Sequence, residues 1–332
     1  MTAALRLGTR RSALALAQSQ QVADALAVAA GREVQLVPIV SEGDVNRASL
    51  SQLGGRGVFA NGLREALLAG ECDLLVHSLK DLPTAEPDGL IIAATPPRAD
   101  ARDVVITRDG TPLSDLPAGA LVGTGSPRRV AQVLRRNSRV EMRDLRGNVD
   151  SRLRRVREGD LDAVILAAAG LERLGGDLGG LYAEALGLAE WPTAPGQGSL
   201  AIETRVDAAS DLLDAVALLD DESTRIEITA ERSVLSTLDA GCHAPVGTHA
   251  ELLDDDLRIT AVVYALDGSR RIGTDRTVRV SRGYARKAGS GDGAGAADSA
   301  DPIARAARTG EDVARRLLER GAADLVPRES TP

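Results

Sequence analysis

Along the first two-thirds of the chain, short apolar runs alternate with hydrophobic residues at helical spacing. Residues 5–8 form the first run and predict a strand. Ser12 follows as an N-cap, and Leu14, Ala17, Val22, Ala25, Leu26 and Ala29 then recur along one helix face. Further strand-like runs lie at 34–40, 73–77, 120–123, 139–142 and 163–166, with helical patterns at 59–69, 128–136 and 149–158. This alternation predicts parallel sheets in two α/β units. After Pro192 the texture changes. Residues 200–203 read as one more strand, and 209–219 and 222–239 as helices. Alternating runs at 260–265 and 274–280 predict an antiparallel sheet. An amphipathic helix closes the pattern at about 303–320. The stretch 281–301, rich in Gly, Ala and Ser, reads as a flexible surface insertion.

A chain of 332 residues exceeds what one hydrophobic core usually covers, so two or three domains are expected. Forty basic and 48 acidic residues give an acidic protein of net charge −8. Only Lys80 and Lys287 are lysines; every other basic residue is Arg. Aromatics are 2%, namely Phe59, Tyr182, Trp191, Tyr264 and Tyr284, which excludes a stacking platform for single-stranded nucleic acid. Neither lysine has the glycine context of a Walker A loop. No apolar run approaches the roughly 20 residues of a membrane span. Arg10-Arg11 suggests a twin-arginine signal, but the apolar stretch behind it breaks at Gln18, so a cytoplasmic protein without nucleic-acid or membrane partners is expected.

The arginines are not evenly spread. Between residues 128 and 157, 11 are Arg and only Glu141, Asp144 and Asp150 are acidic. Arg128 and Arg129 follow the turn Gly123-Thr124-Gly125-Ser126-Pro127. Arg146-Gly147-Asn148 occupies the next strand-to-helix turn, and Arg152 lies just inside the helix. The N-terminal turn repeats the logic with Arg10 and Ser12. The 76–83 segment places Ser78, Lys80 and Asp81 at the end of a buried strand. Turns at strand C-termini line ligand crevices, and helix N-termini there favour anions. Arg grips carboxylates and phosphates bidentately, so a small ligand with several negative charges is implied. Two cysteines remain. Cys72 leads into a core strand and reads as an inert small hydrophobe, whereas Cys242 sits in the Gly/Pro loop 239–247, where a thiol is accessible. No disulfide is expected between them. A metal site from Cys242, His243 and His249 lacks a recognised spacing, and a Cys/His nucleophile pair stays open.

The segments LRLGTRRSALAL, GGRGVF, LLVHSLKDLPT, VGTGSPRR, LRGNVDSRL, ILAAAGLERLG, APGQGSLAIE and AGCHAPVG together resemble the porphobilinogen deaminase (hydroxymethylbilane synthase) family, in family order and along nearly the whole chain. The resemblance implies two periplasmic-binding-protein-like (type II) α/β domains, residues 1–98 with 199–217 and residues 102–193. A small α+β domain with an antiparallel sheet would follow at 221–332. It implies a transferase of porphyrin biosynthesis that joins four porphobilinogen molecules head to tail on a dipyrromethane cofactor, linked by a thioether to Cys242. It assigns Asp81 as the catalytic carboxylate. Binding residues carried over are Arg10, Ser12, Gln18, Ser78, Lys80, Thr124, Ser126, Arg128, Arg129, Arg146, Gly147, Arg152, Arg173 and Gln197, with Phe59 beside a Gly-rich lid at 44–57. No metal is implied. The product would pass to the next tetrapyrrole enzyme, and a monomer is expected. The chain departs from the family's common residues at Gln52, Asn61, Gly62, Gly125, Ala240 and His243. A non-catalytic anion receptor would have no use for the tethering cysteine, and a nucleic-acid binder conflicts with the −8 charge.

Overall fold

The structure, a computed structural model, describes residues 3–39, 58–241, 244–280 and 301–326, with only the backbone of Val58 and Phe59. Cys242, His243, the lid segment 44–57 with Gln52, the Phe59 side chain and residues 281–300 of the Gly-rich stretch lie outside the described residues.

The first sheet is built from β1 (Leu5–Thr9), β2 (Val34–Pro38), β3 (Leu74–Ser78), β4 (Leu90–Ala94) and β10 (Leu200–Arg205), in the order β2-β1-β3-β10-β4. β1 pairs in parallel with β2 and β3, while β10 runs antiparallel to both its neighbours. The second sheet uses β5 (Asp103–Thr107), β6 (Leu121–Gly123), β7 (Glu141–Arg143), β8 (Ala163–Ala167) and β9 (Tyr182–Ala185), in the order β7-β6-β8-β5-β9. Here β6 is parallel to β7 and β8, and β5 is the antiparallel strand. The two sheets therefore share one plan. In each, the fourth strand enters directly from a crossover and runs against the rest. This agrees with the type II periplasmic-binding-protein-like domains that the resemblance implies; the antiparallel β10 and β5 make both sheets mixed, which the alternation of elements alone did not predict. The strand responsible in the second sheet, β5, is buried at all five positions and has no alternation to reveal its direction.

Helices α1 (Ala13–Ala30), α2 (Val58–Leu68), α3 (Pro127–Arg136), α4 (Val149–Arg157), α5 (Ala168–Arg173) and α6 (Ser210–Ala217) flank these sheets. α1 starts where Ser12 accepts a hydrogen bond from the Ala15 amide, and it stops at Gly31 in the left-handed conformation. Its buried residues Val22, Ala23 and Leu26 pack on Leu5, Leu7, Leu74 and Ile202. Each large apolar side chain so buried contributes about 1.5–3 kcal/mol before entropy is counted.

The third unit is an antiparallel sheet, β11 (Val246–Leu253), β12 (Asp256–Tyr264) and β13 (Arg271–Arg279), joined by hairpins. Its core runs from Ile226, Ala230 and Val234 of α7 (Glu222–Thr237) through Leu257 and Ile259 of β12 to Val313 and Leu317 of α8 (Pro302–Glu319). α7 also reaches outward. Arg232 donates to the carbonyls of Leu82 and Pro83, just past Asp81. Glu231 accepts from Arg98 at 2.9 and 3.1 Å and from the Gly196 amide at 2.6 Å. The two crossover segments pass so closely that a Cβ on Gly198, which has φ +90°, would collide with the Ala99 carbonyl oxygen.

Candidate functional site

Four strand ends and the turns that follow them form the edge of the cleft. β1 leads through Arg10 and Arg11 to the Ser12 cap. β3 ends at Ser78, and a single helical turn, Leu79–Asp81, follows it. Fully buried Leu79 and Leu82 at 3% exposure anchor that turn. β6 leads through Thr124 to Ser126, whose hydroxyl caps α3 by accepting from the Arg129 amide, with Pro127 as the first helical residue. β7 leads to Arg146, to Gly147 at φ +100° and to Asn148, which caps α4 by accepting from the Ser151 amide at 2.9 Å. A serine that caps in this way keeps its own hydroxyl proton to donate. The turns thus offer helix N-termini, hydroxyls and cations on one edge, which suits a polyanion.

The centre of the site is a carboxylate that the sequence reasoning missed. Asp103, fully buried at the start of β5, accepts from Arg128 at 2.9 Å, Arg129 at 2.6 Å, Trp191 at 2.9 Å and Gln197 at 2.9 Å. Burial alone would raise its carboxyl; Arg128 and Arg129 overcome that and hold it far below the usual carboxylate range. Its signal in the sequence was an acid directly before the apolar run Val104-Val105-Ile106. Buried acids are rare without a cation, and the neighbouring arginines were its partners. Arg128 and Arg129, expected as free grips for a ligand, are therefore already engaged. Each nevertheless keeps a buried Nε without a protein partner, and so does Arg173, whose Nη2 donates to the Gly198 carbonyl at 2.7 Å.

Lys80 extends from the turn after β3 to Gln197 Oε1 at 3.3 Å. Gln197 is itself buried and donates to the Ala101 carbonyl and to Asp103. A small cavity lies against this group, lined by Lys80, Ser126, Arg128, Pro195, Gly241 and Ala244. Burial and the positive charge of Arg129 push Lys80 down to about 8, although Asp81 and Asp103 act the other way. Below about pH 8 this amine is a cation; above it, the positive charge is lost. Affinity for a carboxylate ligand is therefore expected to weaken as pH rises through that window, and Lys80→Arg should remove this dependence. A titration of ligand affinity from pH 7 to 9.5 checks it; an equal slope in both proteins would refute it.

Of the other expected residues, Arg152 is half-buried and donates through Nε to the Gly147 carbonyl at 2.9 Å. Burial and the field of Arg129 lower its pKa, so these cations face a shared region. Gln18 and Ser78 hydrogen-bond each other at 3.0 Å and stiffen the site from behind. Thr124 is buried and accepts from the Ser126 amide. Arg10 is half-buried, and Arg146 and Asp81 are exposed. Cys242 lies outside the described residues, but Gly241 and Ala244 on either side of it are described and border the cavity. His77 is buried against Glu203, which also pairs with Arg64. Cys72 is fully buried, and burial pushes its thiol up to about 11, so it is inert. Among the described residues no cluster of His, Cys, Asp and Glu could hold a metal ion, and no helix is long and apolar enough to cross a membrane.

Comparison with known proteins gives two adjoining matches. Residues 5–212 match the model of the porphobilinogen deaminase dipyromethane cofactor binding domain, and residues 225–319 that of the porphobilinogen deaminase C-terminal domain. A porphobilinogen deaminase of Leifsonia xyli subsp. xyli is 49% identical over 328 residues, covering 98% of this chain and 94% of that protein. Porphobilinogen deaminase 1 of Streptomyces coelicolor is 54% identical over 275 residues, 80% of this chain and 85% of that one. The porphobilinogen deaminase of Thermobifida fusca is 44% identical over 328 residues, covering 98% and 96%. Solved structures similar to the chain include a periplasmic arginine-binding protein of Salmonella typhimurium, at 15% identity and TM-score 0.38, covering 67% of this chain and 94% of that one.

Proposed function

The chain belongs to the porphobilinogen deaminase family of transferases, and on that premise we propose that it joins four porphobilinogen molecules head to tail on a dipyrromethane primer tethered to Cys242. Four molecules of ammonia leave, and hydrolysis then frees the linear tetrapyrrole hydroxymethylbilane. In this reading the catalytic carboxylate belongs to a first domain (1–98 and 199–217), the arginine-rich wall to a second (102–193) and the tether to a third (221–332).

The residues present fit a dipyrromethane, which carries an acetate and a propionate on each pyrrole. One observation carries the reading: Gly241 and Ala244, which flank Cys242, line the same cavity as Lys80, Ser126 and Arg128. A group tethered at Cys242 would therefore lie among cations and buried, unpartnered Nε–H donors. Left unpaired, carboxylates drawn into such a cleft would be costly. Lys80, Arg128, Arg129, Arg152 and Arg173 meet that cost. When bound, the primer would supply the free pyrrole carbon that the first unit joins, and each later unit would join the ring added before it. The chain's own work is electrostatic. As ammonia leaves porphobilinogen, positive charge develops on the substrate pyrrole. Asp81, next to Lys80 at the end of β3, is the carboxylate placed to stabilise it. The new carbon–carbon bond releases a pyrrole proton, and the Asp81 carboxylate is the acceptor at hand.

Intact-mass measurement of purified protein tests this. The expected mass exceeds that of the sequence by two linked pyrrole units, which peptide mapping places on Cys242. Active protein with an unmodified Cys242 would overturn the tether.

A further inference from the structure

We propose that Asp103 is a positioning residue for this reaction: it holds Arg128 and Arg129 by their terminal nitrogens, so that the Nε–H edges are what a bound carboxylate meets. The inference rests on the reading of the cleft as a binding site for pyrrole carboxylates.

Three observations support it. First, both guanidinium groups are fixed from their outer ends. Arg128 Nη1 donates to Asp103 Oδ2 at 2.9 Å, to Gln132 Oε1 at 2.6 Å and to the Pro192 carbonyl at 3.3 Å. Arg129 donates through Nη2 to Asp103 Oδ1 at 2.6 Å and through Nη1 to the Ile165 carbonyl at 2.9 Å. Second, the inner ends are empty. The Nε atoms of both residues are buried and have no hydrogen-bond partner, although the side chains are only 3% and 7% exposed. A buried donor left unpaired forfeits its solvation, and a carboxylate arriving there would recover that loss. Third, the carboxylate is itself held by segments other than α3. Trp191 donates to Oδ2 and Gln197 to Oδ1, each at 2.9 Å. Gln197 in turn accepts from Lys80, so one frame sets the positions of three cations.

The physical logic is a division of each guanidinium. A free arginine can grip a carboxylate bidentately through more than one edge of its guanidinium group. Arg129 commits Nη2 to Asp103 and Nη1 to the Ile165 carbonyl, and Arg128 commits Nη1 to Asp103, so the Nε edge is the one each turns to a ligand. Asp103 also offsets the repulsion between two adjacent buried guanidinium groups, which allows them to stand side by side.

The test compares Asp103→Asn with wild type as purified. Circular dichroism and gel filtration report the fold, and intact mass reports the primer-loaded fraction to which rates are normalised. Trp191, the chain's only tryptophan, donates directly to Asp103 and so serves as the optical probe. Wild-type emission should shift when porphobilinogen is added. In folded Asp103→Asn, KM should rise at least tenfold, kcat should change less than threefold and the emission shift should vanish. Folded protein that fails to load primer supports the proposal equally. A KM unchanged within twofold, or lowered, in folded protein overturns it, since Asp103 would then be scaffolding or a competitor of the ligand. Should Asp103→Asn not fold, Trp191→Phe decides. It removes one donor from Oδ2 and keeps both ion pairs, and KM should rise about threefold; an unchanged KM overturns the proposal. Failure of the parent reading looks different, because wild-type protein itself would then release no ammonia from porphobilinogen.

Discussion

Asp81→Asn is expected to give a folded, primer-loaded protein whose turnover falls by roughly a hundred- to a thousandfold, the usual cost of losing one preorganised electrostatic group. The fold should survive because Asp81 is exposed, and the turn that carries it is fixed by Leu79 and Leu82 from below and by Arg232 from α7. The substitution keeps shape and removes charge. Its effect should therefore fall on kcat, with KM changed little, because Asp81 acts on the cation that forms during deamination. A second consequence follows from its neighbour. Asp81 is among the groups that raise Lys80, so without it Lys80 loses its proton at lower pH. The alkaline limb of the affinity profile should then move to lower pH. Single-turnover ammonia release with intact-mass control checks both points; release within threefold of wild type would remove Asp81 from the chemistry.

Arg129→Leu should cost about 3 kcal/mol of stability and most of the bound primer, the low end of what breaking a buried ion pair usually costs. Asp103 would keep Arg128, Trp191 and Gln197 but lose its 2.6 Å partner. Denaturant unfolding measures the loss, and intact mass measures the unloaded fraction. The same variant carries an internal check. Arg129 is the charged neighbour that most lowers Lys80, so its removal should let Lys80 titrate above 8. Stability within 1 kcal/mol of wild type, or an unchanged Lys80, would show that Arg129 is not coupled to the cluster in this way.

How much of this was legible in the sequence varies by element, and the reasons are physical. The Ser12 cap, α1 and the strand-to-helix turns at 123–127 and 146–148 were readable because their signals are local: caps, glycines and helical periodicity. The antiparallel direction of β5 and β10 was not, since both strands are buried on both faces and their partners lie far away in sequence. β4, β5, β9 and β11 were not predicted at all: β4 and β5 are short apolar runs without alternation, and β11 is interrupted by Gly247, Thr248 and His249. The arginine cluster stood out by composition. Its counterion did not, because an acid at the head of a short apolar run names no partner until the fold brings it to Arg128 and Arg129. Motif resemblance pointed to Asp81 and Cys242, which no periodicity would have selected. A helix at 222–239 was expected and runs over Glu222–Thr237, but its outward contacts through Glu231 and Arg232 were not, since they depend on how three units pack together.

The interior place of β10 in the first sheet bears on how the chain is made. Every strand of the second sheet lies within residues 103–185, whereas the gap between β3 and β4 is filled by a strand that begins at Leu200. On a ribosome, which delivers the chain from its N-terminus, the later sheet is thus complete while the earlier one still lacks the strand that joins β3 to β4. The order of folding should invert the order of synthesis, with the second unit closing first and the N-terminal strands waiting, their inner edges unpaired, for a segment more than 100 residues downstream.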